Sequence, residues 1–213
     1  MKVIPLMLSA LLLTGMVNNV YAETPKTKTS KPAKKSSTKP AKLIAQPDQI
    51  AGLKFGQTMN KQALNKAGFS YPSDANSDCY YVGIDKRTAK PKPNLLIVYH
   101  NKLGLVEINR QGIDVFSKIK INDSVSKVLQ AHQGKPTYYV DKYDDGDSKS
   151  YHLVYDLGGG NQIDYRMFGG KKMPQDEISS KDWRDDYAKQ LTGKVYSIAV
   201  GQKESIALAE GCS

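Results

Sequence analysis

The second half of the chain contains two segments in which apolar and polar side chains alternate. Successive side chains of a strand point to opposite faces of a sheet, so this period of two predicts two strands with one buried face. The glycine-rich run at 158–161 separates them and predicts a tight hairpin turn. The apolar positions are Tyr151, Leu153, Tyr155, Ile163, Tyr165 and Met167.

Runs rich in aromatic and branched aliphatic residues predict the remaining strands. Such side chains are enriched in strands, and polar or glycine-containing segments separate the runs. The predicted strands cover residues 79–84, 95–100, 105–109, 137–141, 151–157, 162–168 and 194–200.

Two segments that lie 66 positions apart have the same order of residue types. Residues 53–61 read LKFGQTMNK, and residues 119–127 read IKINDSVSK. Each contains an apolar-Lys-apolar strand signal, a turn, and a hydroxyl, from Thr58 or Ser124, that is suited to cap a helix. The pattern predicts an α+β fold, built as a tandem repeat of a small helix plus antiparallel-sheet module.

The repeat also predicts where the modules begin and end. The first α/β module is expected at 43–116 and the second at 117–213. The second module has an insertion with a capping box at 179–182, followed by apolar residues at helical spacing up to Leu191. We therefore expect an extra helix in the second module.

The N-terminus has the features of a secretory signal peptide. Lys2 precedes an apolar run at 4–13 that is too short to cross a bilayer, and Val20-Tyr21-Ala22 has the small-x-small pattern of a cleavage site. Residues 1–22 are therefore expected to be removed by cleavage after Ala22. Since no cysteine lies near the cut and no later segment is apolar enough to span a membrane, we expect an unlipidated periplasmic or secreted protein.

Composition divides the mature chain into a basic tail and a nearly neutral folded part. Residues 23–42 contain seven Lys and three Pro but no aromatic or branched aliphatic residue, so they are predicted to be disordered. The whole chain has a net charge of +10, whereas residues 43–213 carry only +3. A nucleic-acid-binding protein concentrates basic residues on its folded surface, so this class is disfavoured. The tail is either a solubilising spacer or a segment that binds anionic envelope polymers.

The two cysteines predict a disulfide bond between Cys79 and Cys212. An exported protein with an even number of cysteines normally oxidises them, and the acidic neighbours Asp78 and Glu210 do not activate a thiol. Three scattered histidines leave little for a metal centre, and the chain has no phosphate-binding loop or nucleophile elbow. The sequence therefore predicts no catalytic residue, no metal site and no cofactor.

The polar face of the two alternating strands holds one group of residues that could carry chemistry. His152, Asp156, Asp164 and Arg166 are predicted to share this face. Acid–base chemistry by such a group would make the protein a hydrolase, but an ordinary solvated sheet face has the same composition.

The segment IKINDSVSKVLQAHQGKP at 119–136, followed by antiparallel strands, resembles the strand-helix-sheet unit of the outer-membrane assembly family BamE (SmpA). Two such units in tandem resemble the architecture of beta-lactamase inhibitory protein. The resemblance covers residues 50–213 and implies paired sheets with a concave surface for a protein partner. At residue level only the turn at 134–136 matches, so no binding residue of either family is carried over.

These observations favour a non-enzymatic protein-binding module, inhibitor-like or accessory, with a periplasmic or envelope protein as its partner. The alternative is an envelope-assembly or cell-wall-associated factor that uses the basic tail, and a weaker alternative is a hydrolase. Interface energy concentrates in a few aromatic and arginine side chains, about half of which alternation should place in the core here. The candidate binding residues are Tyr80, Tyr81, Tyr138, Tyr139 and Arg166.

Overall fold

The computed structural model describes residues 42–73, 75, 78–84, 94–140, 150–171, 187–207 and 212. Strands are the main elements of this part of the chain. The strands are β1 (Leu43–Ala45), β2 (Gln49–Ile50), β3 (Leu53–Lys54), β4 (Cys79–Gly83), β5 (Leu95–Tyr99), β6 (Lys102–Ile108), β7 (Ile113–Val115), β8 (Thr137–Val140), β9 (Tyr151–Gly158), β10 (Asn161–Phe168) and β11 (Lys194–Gln202). The helices are α1 (Lys61–Lys66), α2 (Val125–Ala131), α3 (Tyr187–Gln190) and α4 (Lys203–Ile206).

The strands form a smaller and a larger sheet. In the smaller sheet the order is β3-β2-β1-β7, and β1 pairs antiparallel with β2 but parallel with β7. In the larger sheet the order is β4-β5-β6-β11-β10-β9-β8, and neighbouring strands are antiparallel. The last strand of the chain, β11, thus lies inside the larger sheet and joins strands from both halves of the sequence.

Two tight hairpins help to set the register of the larger sheet. β5 and β6 are joined through His100 and Asn101, whose φ angles are 48° and 58°. β9 and β10 are joined through Gly159 and Gly160, with φ angles of 62° and 81°. Positive φ at both central residues is typical of the type I′ turn, whose twist matches that of the paired strands. The hairpin turn predicted at 158–161 is therefore confirmed.

One face of the larger sheet is buried in the hydrophobic core. The predicted alternation in β9 and β10 is confirmed, because all six of its apolar side chains are buried. The same cluster includes Leu64 of α1, Val128 of α2, and Ala45 and Ile50 of the smaller sheet. Burial of one large aliphatic side chain stabilises a fold by about 1.5–3 kcal/mol, so this shared core holds the two sheets and both helices together.

Polar side chains cap the helices α1 and α2. Ser124 Oγ accepts the N–H of Lys127, as the sequence predicts. The cap of α1 is Asn60, whose Oδ1 accepts the N–H of Ala63 at 2.8 Å. The predicted cap, Thr58, instead forms an isolated strand bridge with a residue of β6.

The predicted α+β tandem repeat is wrong. The described part of the chain is mostly β, its helices have four to seven residues, and both halves of the sequence build one continuous sheet of seven strands. The repeat also fails locally, since Leu53–Lys54 forms β3 whereas residues 119–121 form no strand. Short similar segments specify turns and caps, but the pairing of β6 with β11 depends on contacts between residues far apart in sequence.

Some predictions fall largely outside the described residues. These are the signal peptide at 1–22, the tail at 23–42 except Lys42, and the inserted helix expected at 179–191 except its last part. The module boundaries at 43–116 and 117–213 stay predictions. Within the described ranges, no helix combines the length and the apolar character needed to cross a membrane.

Candidate functional site

The larger sheet has a second face, opposite to the hydrophobic core, which we call the outer face. Near β4, β5 and β6 this face is apolar, and α4 packs on it. The apolar group consists of Ile97, Leu105, Ala199 and Ile206. Towards β10 and β9 the outer face becomes polar.

A series of ion pairs crosses four strands of the outer face. His152 Nδ1 on β9 lies 2.8 Å from Asp164 Oδ2 on β10. Arg166, also on β10, donates from Nε to the same Asp164 oxygen at 3.4 Å and from Nη1 to Glu107 Oε1 on β6 at 3.0 Å. Ser197 on β11 donates its hydroxyl to that Glu107 oxygen at 3.5 Å. We call these five residues the ionic network.

The antiparallel register brings the ionic network together. Arg166 is the direct partner of His152 on one side and of Ser197 on the other. Side chains of directly opposite residues lie about 4.5–5.5 Å apart at Cβ, so neighbouring members are within reach of each other. The long arginine side chain then reaches across β11 to Glu107 on β6.

Four of the five residues of the ionic network are buried, although they lie on the outer face, and Arg166 is partly buried. Asp164 is 0% exposed, and Glu107 and His152 are each 8% exposed. Burial of the Arg166 guanidinium disfavours its charge, but the carboxylates of Asp164 and Glu107 outweigh this effect and raise the pKa of Arg166. An unpaired buried charge is costly, so the pairing makes this arrangement possible. The interpretation as a solvated sheet face is therefore wrong for these residues.

The His152–Asp164 pair resembles an arrangement used in acid–base catalysis, in which a carboxylate orients an imidazole. A catalytic nucleophile has to lie within hydrogen-bond reach of its base. Ser197 lies two strands away from His152, with Arg166 between them, which corresponds to about 10 Å at normal strand spacing. The geometry therefore does not pair Ser197 with His152 as nucleophile and base, and both residues belong to a network that links strands.

Asp156, which the sequence places with this polar group, does not join it. Its side chain is exposed, and its Oδ1 accepts the N–H of Gly158 at 2.7 Å. This hydrogen bond supports the turn between β9 and β10.

A β-bulge turns an additional aromatic side chain of β11 outward. Arg166 pairs with Ser197 while Met167 pairs with Val195, so Tyr196 is an extra residue in the ladder. An extra residue interrupts the strict alternation of faces. Val195 and Ile198 both remain in the core, and the two residues between them face outward.

Phe168 and Tyr196 form an exposed aromatic pair at the ends of β10 and β11. Phe168 is 53% exposed and Tyr196 is 38% exposed. Their ring centroids lie 6.1 Å apart with an interplanar angle of 78°. This edge-to-face contact is favourable for aromatic rings and keeps both of them in place at the surface.

The aromatic pair borders a cleft of about 430 Å³. We call the cleft and the pair together the aromatic cleft. Hydrogen bonds from backbone N–H groups shape its wall, because the Asn122 N–H donates to the Val195 carbonyl at 2.8 Å and the Lys171 N–H donates to the side-chain Oγ1 of Thr192 at 2.6 Å. The lining consists of Asn122, Phe168, Gly169, Thr192, Gly193, Lys194, Val195 and Tyr196. Lys194 is exposed and provides the charged group of this lining.

The predicted binding residues Tyr80 and Tyr138 lie in the hydrophobic core. Tyr80 is 2% exposed and Tyr138 is 1% exposed, so neither presents a surface to a partner. This corrects their assignment as binding residues. Successive side chains of a strand point to opposite faces of the sheet. Tyr80 and Tyr138 therefore point into the core, whereas their neighbours Tyr81 and Tyr139 point to the other face.

The other three candidates take part in contacts within the protein. The Tyr81 hydroxyl accepts the N–H of Cys212 at 2.8 Å, although the residue is 37% exposed. The Tyr139 ring stacks on the His152 imidazole with centroids 4.3 Å apart and planes at 15°. Arg166 belongs to the ionic network. Their visible contacts are thus structural, and their role in binding stays a prediction.

The predicted disulfide bond is confirmed. Cys79 and Cys212 are joined, with their Cα atoms 5.2 Å apart and 133 positions between them in sequence. Both half-cystines pack against the apolar group beside α4. The bond fastens Cys212 to β4, an edge strand of the larger sheet.

Phe168 and Tyr196 are absent from the residues that sequence analysis selects. The outward direction of Phe168 could have been predicted, because it follows the core residue Met167 in an alternating strand. Tyr196 carries no such signal, since strict alternation would place it on the same face as Ile198 in the core. The bulge that turns it outward is visible only in the paired strands.

Among the described residues, no group of three or more His, Cys, Asp or Glu side chains is arranged to hold a metal ion. Comparison of the sequence with protein families and with curated proteins finds no match. Among solved structures, the chain is similar to the crystal structure of the uncharacterized protein YfeY from Escherichia coli. The identity is 13% and the TM-score 0.46, over 75% of this chain and 99% of that chain. A likeness at this level carries no argument about function, and these comparisons add no support for the resemblance to BamE or to beta-lactamase inhibitory protein.

Proposed function

We propose that the protein is a non-enzymatic protein-binding module that works outside the cytoplasm, with the aromatic cleft as its contact surface. The observation that carries this proposal is the exposed Phe168–Tyr196 pair beside the cleft. Aromatic side chains are enriched at protein interfaces, where a few of them supply most of the binding energy. Two rings held against each other also lose little freedom when a partner covers them.

The polar surroundings of the pair fit the same proposal. Asn122 and Lys194 line the cleft beside the rings, which gives an apolar centre with a polar edge. Protein interfaces commonly have this arrangement. The partner is expected to place an apolar side chain against the rings and an acidic or carbonyl group near Lys194.

The ionic network supports a binding role more than a hydrolytic one. Its charged groups are paired with one another inside the protein, and its serine hydroxyl donates to Glu107. A hydrolase that used Ser197 as its nucleophile would need this hydroxyl next to the imidazole, but Arg166 lies between the two residues in the strand ladder. We therefore place the function at the aromatic cleft.

Two observations support the location outside the cytoplasm. Disulfide bonds persist in oxidising compartments and are rare in the cytosol, and the chain contains the Cys79–Cys212 bond. The N-terminal sequence has the signal-peptide pattern described above. If the proposal is correct, the mature protein isolated from a periplasmic or culture fraction begins at Glu23.

A photo-crosslinking amino acid placed at position 168 tests the contact surface. The matched control position is Ile44, which is 42% exposed on the smaller sheet. We expect one discrete crosslinked protein from position 168 and none from position 44. With that partner purified, Phe168→Ala should weaken binding by about tenfold or more, which corresponds to ~1.4 kcal/mol, whereas Ile44→Ala should leave it unchanged.

Two outcomes would reject the proposal. The first is equal crosslinking from both positions, and the second is an unchanged affinity in Phe168→Ala. Loss of binding on deletion of residues 23–42, with no effect of Phe168→Ala, would instead favour the envelope factor that acts through its basic tail.

A further inference from the structure

A second pocket lies where β7 of the smaller sheet meets β6 and β11 of the larger one. Its volume is about 170 Å³, and it shares no lining residue with the aromatic cleft. The lining also includes Lys42, which directly precedes β1, and the segment before α2 at 119–121. We call it the isoleucine pocket.

The inner wall of the isoleucine pocket is aliphatic. Four of its isoleucines are buried, at 7% exposure or less, and a fifth, Ile121, is partly buried. The buried members are Ile108, Ile113, Ile119 and Ile198. Branched aliphatic side chains offer no hydrogen bond, so this wall suits a compact apolar group and excludes a strongly hydrated one.

The remaining lining is positively charged. Its charged members are the basic residues Lys42, Arg110 and Lys120 and the acidic residue Asp114. Lys42 Nζ lies 2.7 Å from Asp114 Oδ2, and this pair is largely self-compensating. Lys120 has an exposed side chain at the pocket. An apolar wall below cationic groups is complementary to a molecule with an aliphatic body and one negative charge.

We propose that the isoleucine pocket binds an aliphatic carboxylate, with its branched body against the isoleucines and its carboxylate near Lys120. The volume sets the size of the ligand. An apolar cavity of about 150 Å³ accommodates benzene, so the pocket has room for about six to eight non-hydrogen atoms. Isocaproate is a compound of this size.

Two kinds of ligand combine a branched aliphatic group with a carboxylate. One is a free short-chain carboxylic acid, and the other is the C-terminal residue of a peptide that ends in leucine. Both present a branched aliphatic group next to a carboxylate, so they share the recognition that the pocket offers. They differ in the peptide group that precedes the carboxylate-bearing residue.

NMR of the isoleucine methyl groups tests the proposal on the full-length mature, disulfide-bonded protein. Isocaproate should shift the methyl signals of the pocket isoleucines, with a dissociation constant on the order of millimolar for so small a ligand. Isocaproamide has the same shape without the charge and should bind about tenfold more weakly or worse. The affinity for isocaproate should also fall as salt is raised, since exposed charges are screened beyond about 10 Å at 0.1 M.

Lys120→Gln is the first variant, and Lys118→Gln is its matched control. Both lysines are exposed on the same segment, but only Lys120 lines the pocket. We expect Lys120→Gln to weaken isocaproate binding by about threefold or more, and Lys118→Gln to change it by less than about twofold. The unshifted methyl signals of each variant report whether it is folded.

The peptide N-acetyl-alanyl-leucine with a free carboxylate distinguishes the two sources. Binding tighter than that of isocaproate assigns the pocket to a peptide C-terminus, and weaker binding assigns it to a free acid. The proposal is overturned if isocaproate shifts no pocket methyl at about ten times the expected dissociation constant. It is also overturned if the amide binds as well as the acid, or if the two lysine variants behave alike.

Discussion

The imidazole of His152 and the carboxylate of Asp164 lie 2.8 Å apart across β9 and β10, and both side chains are buried on the outer face of the larger sheet. Asp164 also receives the Nε–H of Arg166 at 3.4 Å. The Asp164 carboxylate therefore contacts both His152 and Arg166, although it is not exposed to solvent. Removing its charge weakens the contacts of both partners and leaves the Glu107 carboxylate to compensate the Arg166 guanidinium, so Asp164 is a sensitive position of the ionic network.

We expect Asp164→Asn to lower the free energy of unfolding by about 3–5 kcal/mol, because one partner of a buried ion pair is removed. The control is Asp156→Asn on β9, where the side chain is exposed and the amide oxygen can still accept the N–H of Gly158. This control should stay within about 0.5 kcal/mol of the wild type. Urea denaturation measures both values, and similar losses in the two variants would contradict the assigned role of Asp164.

The Tyr155 hydroxyl is buried and has no hydrogen-bond partner among the described residues. The ring itself is well packed, since it stacks on the imidazole of His132 with centroids 4.0 Å apart. Tyr155→Phe removes the unsatisfied hydroxyl and keeps the ring, so we expect the free energy of unfolding to stay constant or to rise by about 1 kcal/mol.

Tyr165→Phe is the matched comparison for Tyr155→Phe. The Tyr165 hydroxyl lies 2.7 Å from Ser117 Oγ and 2.8 Å from His132 Nε2. Its removal should lower the free energy of unfolding by about 1–2 kcal/mol, because both groups lose a partner. If the two phenylalanine variants changed stability in the same direction and by the same amount, the hydrogen-bond assignment would be wrong.

Burial lowers the pKa of His132, whose ring packs between Tyr155 and Tyr165. In the unfolded chain His132 becomes protonated near pH 6.5, whereas in the folded protein it becomes protonated only at a lower pH. The resulting stability is present above about pH 6.5 and is lost as pH falls through the folded pKa. His132→Gln should therefore flatten the fall in stability between about pH 6.5 and 5, a window in which most carboxylates are still ionised.

The control for His132→Gln is His100→Asn. His100 lies in the turn between β5 and β6, its side chain is 63% exposed, and asparagine tolerates the positive φ of this position. A flattened curve in His100→Asn, or an unaltered one in His132→Gln, would exclude His132 as the titrating group.

The disulfide bond is expected to stabilise the protein strongly. Thiol titration of the denatured, unreduced protein should detect no free thiol. Replacing both cysteines by serine should lower the free energy of unfolding by up to about 5 kcal/mol on the chain-entropy model, because 133 positions separate Cys79 from Cys212. Tyr81→Phe removes only the hydrogen bond to the Cys212 N–H and should cost about 1 kcal/mol or less. Detection of two free thiols would contradict the pairing.

The sequence by itself determined the local features of the fold. Alternation in 151–157 and 162–168 correctly placed Tyr155 and Tyr165 in the core and His152, Asp164 and Arg166 on the other face. The turn at 158–161 and the Ser124 cap of α2 were also predicted. These features depend on the conformational preferences and hydrogen bonds of residues close together in the chain, which is why a single sequence contains them. The disulfide followed from the number of cysteines and the expected compartment.

Only the tertiary structure decided which distant segments pair. The sequence suggested two similar modules, but β11 pairs with β6 and so unites both halves in one sheet. That pairing brings Glu107 within 3.0 Å of Arg166, a contact between residues 59 positions apart. The pairing of β11 with β10, also fixed only in the folded protein, contains the bulge that turns Tyr196 outward against Phe168. Alternation within one strand specifies its faces, but the strand's partner and register depend on the packing of the whole core, which no local pattern encodes.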